Sequence, residues 1–192
     1  MAHPTVAEQL VGMVRDAGAR RIYGVAGDSL NPVVDVVRRN EGIDWVHVSH
    51  EEGDAFAAAA EAQLTGRLAV CAGSSGPGTT HLLQGLYDAQ RSGAPVLAIA
   101  SHIQSSEIGT GFFQETHPTH VFQDCSVWCE LVTPAADAAG GARRHPDGRR
   151  QARRGGLAEP CAYEAGRPSD TPHGEASPAL RDRSRTLGLR GY

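Results

Sequence analysis

The chain has 192 residues, of which 40 % are hydrophobic, and a net charge of −4. This apolar content is enough for one packed domain, with or without an appendage. The four cysteines are too few for a disulfide scaffold, no apolar run approaches the length of a membrane span, and the amino terminus lacks the features of a secretion signal. We therefore expect a cytoplasmic protein with free thiols and no membrane span.

The composition changes abruptly after Thr133. Residues 1–133 contain seven Arg and fifteen Asp or Glu, a net charge of −8, and every Val, Ile, Met, Phe and Trp of the chain. Residues 134–192 contain eleven Arg and seven acidic residues, a net charge of +4, and have too little apolar surface to offset the entropy of the chain. We predict a domain over 1–133, incomplete at its carboxyl end, and a tail over 134–192 that is disordered or derives from a frame-shifted coding sequence. The acidic residues among the Arg residues argue against nucleic-acid binding.

Helices and strands alternate along residues 1–133. Thr5 and Glu8 have the spacing of a capping box, which predicts a helix over 6–17. Apolar runs predict strands over 21–27, 43–48, 67–72 and 95–100, whereas helical patterns begin at Pro32 and cover 51–65 and 78–90. A Gly-, Ser- and Thr-rich loop precedes a short helix near 119–122 and a strand over 130–133. This order predicts an α/β domain, a parallel sheet with helices on both faces.

The stretch from His50 to Gly66 organises this domain. It places Glu51 at the carboxyl end of a strand and in the first turn of an alanine-rich helix. In open α/β sheets the carboxyl ends of strands are where ligands bind, and a helix amino terminus tolerates negative charge. Glu51 is therefore a candidate functional carboxylate. The simpler interpretation is that Glu51 and Glu52 only complement the helix dipole.

A glycine-rich turn, Gly73-Ser74-Ser75-Gly76-Pro77-Gly78, joins a buried strand to the next helix. Its backbone N–H groups are suited to cradle an anion or a flat polar ring. The turn lacks the Gly-Lys-Ser/Thr ending of a P-loop and does not match GxGxxG. Close packing of the strand against the helix accounts for the glycines equally well.

Gly27-Asp28-Ser29-Leu30 resembles the nucleophile block of the GDSL esterases, a hydrolase family in which such a serine works with an Asp-x-x-His pair. Asp170 and His173 have that spacing. However, they lie in the tail, and the Gly-x-Asn-Asp block of these esterases is absent. A helix cap by Asp28 or Ser29 is the simpler interpretation.

His117, His120, Cys125 and Cys129 carry side chains that zinc accepts as ligands. The cysteine spacing is longer than in paired zinc ligands, and no second pair follows. Separate roles in packing and at helix ends are the simpler interpretation, so we predict no metal site.

Five separated blocks resemble, in order and spacing, the amino-terminal pyrimidine-binding domain of thiamine-diphosphate enzymes. The blocks are residues 24–31, 48–66, 72–78, 94–99 and 111–118. The resemblance covers residues 5–133 and is greatest to the pyruvate oxidases, or pyruvate:quinone dehydrogenases, flavoproteins that decarboxylate pyruvate to acetate and pass electrons to quinone. Acetolactate synthases and 2-keto acid decarboxylases share much of the same pattern.

The resemblance implies roles for individual residues. Glu51 would hydrogen-bond the pyrimidine ring of thiamine diphosphate and favour the imino tautomer, whose nitrogen removes the C2 proton of the thiazolium before attack on the 2-keto acid. Phe113 and Gln114 would lie near the substrate and the flavin. The backbone wall around the pyrimidine would consist of Ala26, Gly27, Ser75, Gly76, Pro77 and Gly78. This sequence departs from the family pattern at Ser49, Ser75 and Thr79.

Other parts of the family's machinery are expected outside this chain. In such enzymes a second domain, on another chain of a homo-oligomer, binds the diphosphate through magnesium with a Gly-Asp-Gly motif and a later Asn, and a middle domain binds FAD. Neither the motif nor that domain occurs here. We therefore expect a fragment that is inactive alone. A non-catalytic remnant that keeps the fold is the alternative.

Overall fold

The computed structural model of the protein describes residues 4–132 in full and, beyond them, only the backbone of three strands at 143–144, 150–151 and 158–165. The helices of this part are α1 (Val6–Asp16), α2 (Asn31–Arg39), α3 (Glu51–Thr65), α4 (Pro77–His81), α5 (Leu83–Ser92) and α6 (Pro118–Val121). The strands are β1 (Arg21–Gly24), β2 (Asp44–His47), β3 (Ala69–Gly73), β4 (Val96–Gln104), β5 (Trp128–Leu131), β6 (Arg143–Arg144), β7 (Arg150–Gln151) and β8 (Ala158–Ala165). No helix in the described part is long and apolar enough to cross a bilayer.

Local signals start and stop these helices as the sequence predicts. Thr5 Oγ1 accepts a hydrogen bond from the N–H of Glu8 at 3.2 Å, and the Glu8 carboxylate accepts one from the N–H of Thr5 at 2.8 Å, which completes the capping box of α1. The alanine-rich helix α3 ends at Gly66, whose backbone is left-handed.

The helix predicted over 78–90 is instead two helices, α4 and α5, which meet at Leu82. The break lies at Leu82, whose N–H bonds to Thr79 O, three residues back, at 3.3 Å. Thr80 Oγ1 donates to Pro77 O at 2.9 Å and Thr79 Oγ1 donates to Ser74 O at 2.9 Å, so both hydroxyls hold the start of α4. The result is a short helix that points its amino terminus at the end of β3.

The main sheet has the strand order β2-β1-β3-β4-β8-β5. The first four strands are parallel, and β8 runs antiparallel between β4 and β5. Two apolar clusters flank the sheet. The cluster with α1 and α2 includes Val70 and Ala72 of β3, and the cluster with α3 and α5 includes Cys71 of the same strand. This alternation confirms the predicted α/β architecture with helices on both faces.

Small residues bring α3 and α5 close together. Ala55, Ala58, Ala59 and Ala62 of α3 are all buried. A Cβ atom at Gly85 of α5 would lie only 2.5 Å from the Cβ of Ala55, so the two helices are in contact through a glycine. This packing fixes the position of α3, and therefore of Glu51 at its first turn.

Strand β8 was not expected from the sequence, which predicts a tail without structure. Strand pairing uses backbone groups, so a segment without branched apolar residues can still fill the gap between the edges of β4 and β5. Residues 133–142, 145–149, 152–157 and 166–192 lie outside the described residues, and the prediction of disorder there stays a prediction. The last predicted strand, over 130–133, is found at Trp128–Leu131.

The packing of α5 predicts a clear difference between two leucines. Leu86 is 1 % exposed, whereas Leu64 of α3 is 87 % exposed. We expect Leu86→Ala to lower the free energy of unfolding by about 2–5 kcal/mol. Leu64→Ala, the matched control, should change it by less than about 0.5 kcal/mol. Urea denaturation followed by circular dichroism measures both. Equal losses would contradict the described packing.

Candidate functional site

The segments predicted to form a site meet at one edge of the sheet. Because β1 to β4 are parallel, their carboxyl ends lie on the same side. Ala26 and Gly27 follow β1, Glu51 follows β2, and the turn that opens α4 follows β3. The loop after β4 carries Gln114 to the same place. This is the edge at which ligands bind in open α/β sheets.

Glu51 lies between the amino-terminal turns of α3 and α4. Its side chain is 14 % exposed, and its Oε2 lies 3.2 Å from His81 Nδ1. A Cβ atom at Gly78 would lie 2.7 Å from Glu51 Oε1, so any larger residue there would displace the carboxylate. Glu52, by contrast, is exposed. The two acidic residues therefore differ in environment, which a shared role with the helix dipole does not explain.

His50 supports this arrangement. Its Nδ1 accepts a hydrogen bond from the N–H of Glu52 at 3.2 Å and so caps α3. Its ring stacks on the ring of His81, with 4.5 Å between the centroids. The stack ties the first turn of α3 to the end of α4, on the exposed side of Glu51.

The turn before α4 is held from two sides. Gly76 has φ 76° and ψ −121°, a conformation that favours glycine. On one side, Gln114 Nε2 donates to Ser75 O at 3.3 Å, and the Gln114 side chain lies against Gly76. On the other side, the N–H of Ser75 donates to Ser29 Oγ at 3.0 Å. Ser75, Gly76 and Gly78 are buried, whereas Pro77 is exposed.

Ser29 belongs to a hydroxyl cluster with Ser74 and Ser101. Ser29 Oγ lies 2.9 Å from Ser74 Oγ and 2.5 Å from Ser101 Oγ. The cluster joins the chain after β1 to the end of β3 and to β4. Ser29 is thus bonded to hydroxyls and a backbone amide, and the partners that a GDSL esterase would need, Asp170 and His173, lie outside the described residues. A helix cap by Asp28 or Ser29 is wrong, since no side chain caps that turn or α2.

The four residues considered as zinc ligands are not brought together. The rings of His117 and His120 are 6.1 Å apart, and Cys125 is buried with its Sγ directed to Phe122 O. Within residues 4–132, the one group of three such side chains with ligand atoms within 4.8 Å of one another is His50, Glu51 and His81. His50 Nδ1 already accepts a hydrogen bond from the N–H of Glu52, and His81 Nδ1 is paired with Glu51 Oε2. We assign no metal to it.

Phe113 and Gln114, predicted near the substrate, lie on one loop with different exposure. Phe113 is 84 % exposed and tilts against Phe112 at 4.8 Å. Glu115 fixes the loop, because its carboxylate accepts hydrogen bonds from the N–H groups of Gly109 and Gly111. The structure therefore places Gln114 against the turn and leaves Phe113 available on the surface beside it.

Asp54 is the residue that the sequence analysis missed. It lies one helical turn after Glu51, it is 0 % exposed, and neither carboxylate oxygen makes a well-formed hydrogen bond within the described part of the chain. Burial raises the pKa of Asp54 to about 7, the charge of Glu51 adds to the rise, and the backbone N–H of Val25 opposes it. A sequence signal existed: Asp54 is four residues before the buried Ala58 and eight before the buried Ala62.

The fold and this site define the class of the protein. The sequence profile described as "Thiamine pyrophosphate enzyme, N-terminal TPP binding domain" matches residues 4–122. The chain belongs to this family, and the resemblance found in its sequence is confirmed. The family binds thiamine diphosphate, the same compound as thiamine pyrophosphate.

Three curated proteins illustrate the relationship. An uncharacterised 42.6 kDa protein of Pseudomonas amyloderamosa is 60 % identical over 69 % of this chain and 34 % of its own length. A putative thiamine pyrophosphate-containing protein of Bacillus subtilis is 44 % identical over 70 % of this chain and 24 % of its own. A pyruvate oxidase of Lactiplantibacillus plantarum is 41 % identical over 62 % of this chain and 20 % of its own. Acetolactate synthases match at 36 to 38 % identity. The chain spans between about a fifth and a third of the length of the three proteins described.

The buried carboxyl group of Asp54 predicts how stability depends on pH. Its pKa is about 7 in the folded chain against 3.8 ordinarily, so the folded state keeps a proton that the unfolded state releases between these values. This contribution to stability is complete below about pH 4 and is lost as the pH rises to about 7, by roughly 1.4 kcal/mol per pH unit at most.

Asp54→Asn should remove that decline. We expect urea denaturation between pH 4.5 and 7.5 to show a shallower loss of stability for Asp54→Asn than for the unchanged chain. Glu52→Gln, which removes an exposed acid of the same helix, should keep the full decline. Parallel curves for the unchanged chain and Asp54→Asn would show that Asp54 does not hold the proton.

Proposed function

We propose that this chain supplies the pyrimidine-binding half of a thiamine-diphosphate site in an enzyme of the pyruvate oxidase type, which oxidatively decarboxylates a 2-keto acid. The observation that carries the proposal is the half-buried carboxylate of Glu51, which faces the backbone of Gly78 with no room for a side chain between them. A carboxylate that is held against a bare backbone at a helix amino terminus is shielded and fixed in position, as a group that gives a hydrogen bond to a ring nitrogen must be.

The described residues fit the pyrimidine end of the cofactor. Glu51 would hold a proton against a ring nitrogen, and the backbone of Gly76 and Gly78 would flank the ring. Ala26 and Gly27 would close the opposite wall, since they follow β1 at the same edge. When bound, thiamine diphosphate supplies the carbon nucleophile that adds to the keto group and then accommodates the electrons left after loss of carbon dioxide.

Glu51 and His81 are arranged for proton exchange. Glu51 is mostly shielded, whereas the side chain of His81 is 43 % exposed and 3.2 Å away. An imidazole at that distance can pass a proton between a shielded carboxylate and water. In the proposed function, His81 therefore connects Glu51 to solvent while the turn before α4 excludes water from the other side.

The remaining parts of the activity are proposed by analogy with the pyruvate oxidase. The diphosphate end, its magnesium ion and the FAD would be held by other parts of the enzyme, in a homo-oligomer in the cytoplasm. Phe113 and Gln114 would border the substrate. An acetolactate synthase or a 2-keto acid decarboxylase would use the same pyrimidine site, and we favour the oxidase because its identity to this chain is higher, 41 % against 36 to 38 %.

The pyrimidine site can be tested without turnover. We expect a 4-aminopyrimidine that lacks the diphosphate to shift the backbone amide resonances of Gly27, Glu51, Gly76 and Gly78 in a two-dimensional NMR spectrum of ¹⁵N-labelled chain. Glu51→Gln should weaken this binding, and Glu52→Gln should not. Shifts at other surfaces only, or equal binding by both variants, would contradict the proposed site.

The role of Glu51 in catalysis can be tested in a chimeric enzyme. Residues 4–122 of this chain would replace the matching segment of the Lactiplantibacillus plantarum pyruvate oxidase. In this protein we expect Glu51→Gln to lower kcat on the order of 100-fold or more, because the amide keeps the shape but cannot exchange the proton. In Glu52→Gln, kcat should stay within about twofold of the unchanged protein, as expected for an exposed charge.

The 192-residue chain alone should not reduce a dye acceptor with pyruvate. Such reduction would show that the chain needs no further parts.

A further inference from the structure

The side chain of Asp54 is left without a role by the function proposed above. A carboxyl group that is 0 % exposed and lacks well-formed hydrogen bonds is costly when ionised, because neither water nor a partner compensates its charge. Alanine occupies the neighbouring buried positions 55, 58, 59 and 62 of α3, and it would fill this one at no such cost. The acid at position 54 therefore calls for a physical explanation.

The surroundings of Asp54 contain one other carboxylate. On its own helix, Glu51 lies one turn away, at a spacing that brings side chains together. From the sheet, the neighbour is the Cys71 thiol of β3, whose pKa is raised by burial and further by the charge of Asp54, so it remains neutral. The chain after β1 contributes the N–H of Val25. On α5, Asp88 is directed to Gln63 at the far end of α3.

His81 of α4 is another titratable group beside Glu51. It is 3.2 Å from Glu51 Oε2 and is exposed to solvent. Glu51 thus has two titratable neighbours, an imidazole open to water on α4 and a buried carboxyl group one helical turn along α3. No described cation lies beside Asp54 among the groups that influence its pKa.

We propose that Asp54 is a positioning residue of the thiamine site, a buried carboxyl group that carries a proton one helical turn behind Glu51 and whose ionisation is coupled to that of Glu51. The role in the thiamine site rests on the proposed function, whereas the coupling of the two carboxyl groups does not. Two carboxylates in one shielded site do not ionise independently, since the second negative charge is disfavoured while the first is present.

The coupling would serve the proton exchange assigned to Glu51. Negative charges on Asp54 and Glu51 disfavour each other, so the proton on the buried Asp54 would favour the charge through which Glu51 is proposed to exchange a proton with a pyrimidine ring. Asp54 touches neither cofactor nor substrate in this account and acts through Glu51 alone.

The test is a carboxyl-carbon NMR titration of the ¹³C-labelled 192-residue chain between pH 4 and 9. We expect one carboxyl resonance to titrate near neutral pH and to disappear in Asp54→Asn. In Glu51→Gln, which leaves Asp54 intact, the midpoint of that step should fall by about half a pH unit or more. Glu52→Gln, the matched control in the same turn, should leave it unchanged.

Each result decides one part of the proposal. The absence of a near-neutral step in the unchanged chain, or its persistence in Asp54→Asn, would show that Asp54 does not carry the proton. A step that does not move in Glu51→Gln would show that Asp54 is only a structural residue. Should Asp54→Asn fail to fold, Asp54→Ala replaces it, and the Glu51→Gln titration stands by itself.

Ligand binding separates this inference from the proposed function. The affinity of the 4-aminopyrimidine should change between pH 6 and 8 in the unchanged chain and be constant over that range in Asp54→Asn. A coupled titration without any pyrimidine binding would leave the carboxyl pair established and overturn the proposed function. Binding with an identical pH profile in both proteins would support the proposed function and overturn the coupling of Asp54 to the site.

Discussion

The contact between the carboxylate of Glu51 and the backbone of Gly78 is the constraint on which the site depends. It joins the first turn of α3 to the first turn of α4 and leaves no space for a side chain at position 78. The bare backbone at the amino terminus of α4 thus lies directly against a shielded carboxylate, a place where a negative charge is favoured. The stacked rings of His50 and His81 and the hydrogen bonds of Ser29 and Gln114 to Ser75 support the two turns.

Packing on the far side of α3 supplies much of that support. Alanines bury one face of the helix against β3 and α5, and Gly85 lets α5 approach the backbone of Ala55. On the near side, the stacked rings of His50 and His81 bridge the two turns. Hydrogen bonds from Thr79 and Thr80 to nearby carbonyl groups hold the start of the short helix α4. Apolar packing thus sets the position of α3, and polar contacts set the position of α4.

The sequence predicts most of this fold because its signals are local. Capping at Thr5, the stop at Gly66 and the alternation of apolar runs with helical patterns are read from neighbouring residues, and the structure follows them. The place of Glu51 is predicted in the same way, whereas the family comes from the resemblance of five separated blocks to known enzymes. Two features are not predicted from neighbouring residues. The break at Leu82 depends on which carbonyl group its N–H bonds to, and the bonds of Ser29 involve residues distant in sequence. Strand β8 has no local signal, since it uses the edges that β4 and β5 provide. Asp54 was missed although helical spacing places it on the buried face, because a charged residue is normally assumed to be exposed.

The serine cluster has a further property that follows from counting protons. A hydroxyl group donates one hydrogen bond only. In an arrangement in which Ser101 donates to Gly73 O at 3.1 Å, Ser29 is the donor in the 2.5 Å contact with Ser101. Ser29 then has no second proton, and Ser74 must donate to it, as the N–H of Ser75 does. The arrangement of the three hydroxyl protons that fills all these contacts at once therefore runs in one direction, from Ser74 towards the carbonyl of Gly73. Each bond in such a chain polarises the next, so the cluster links the turn before α4 to β4 more strongly than isolated bonds would.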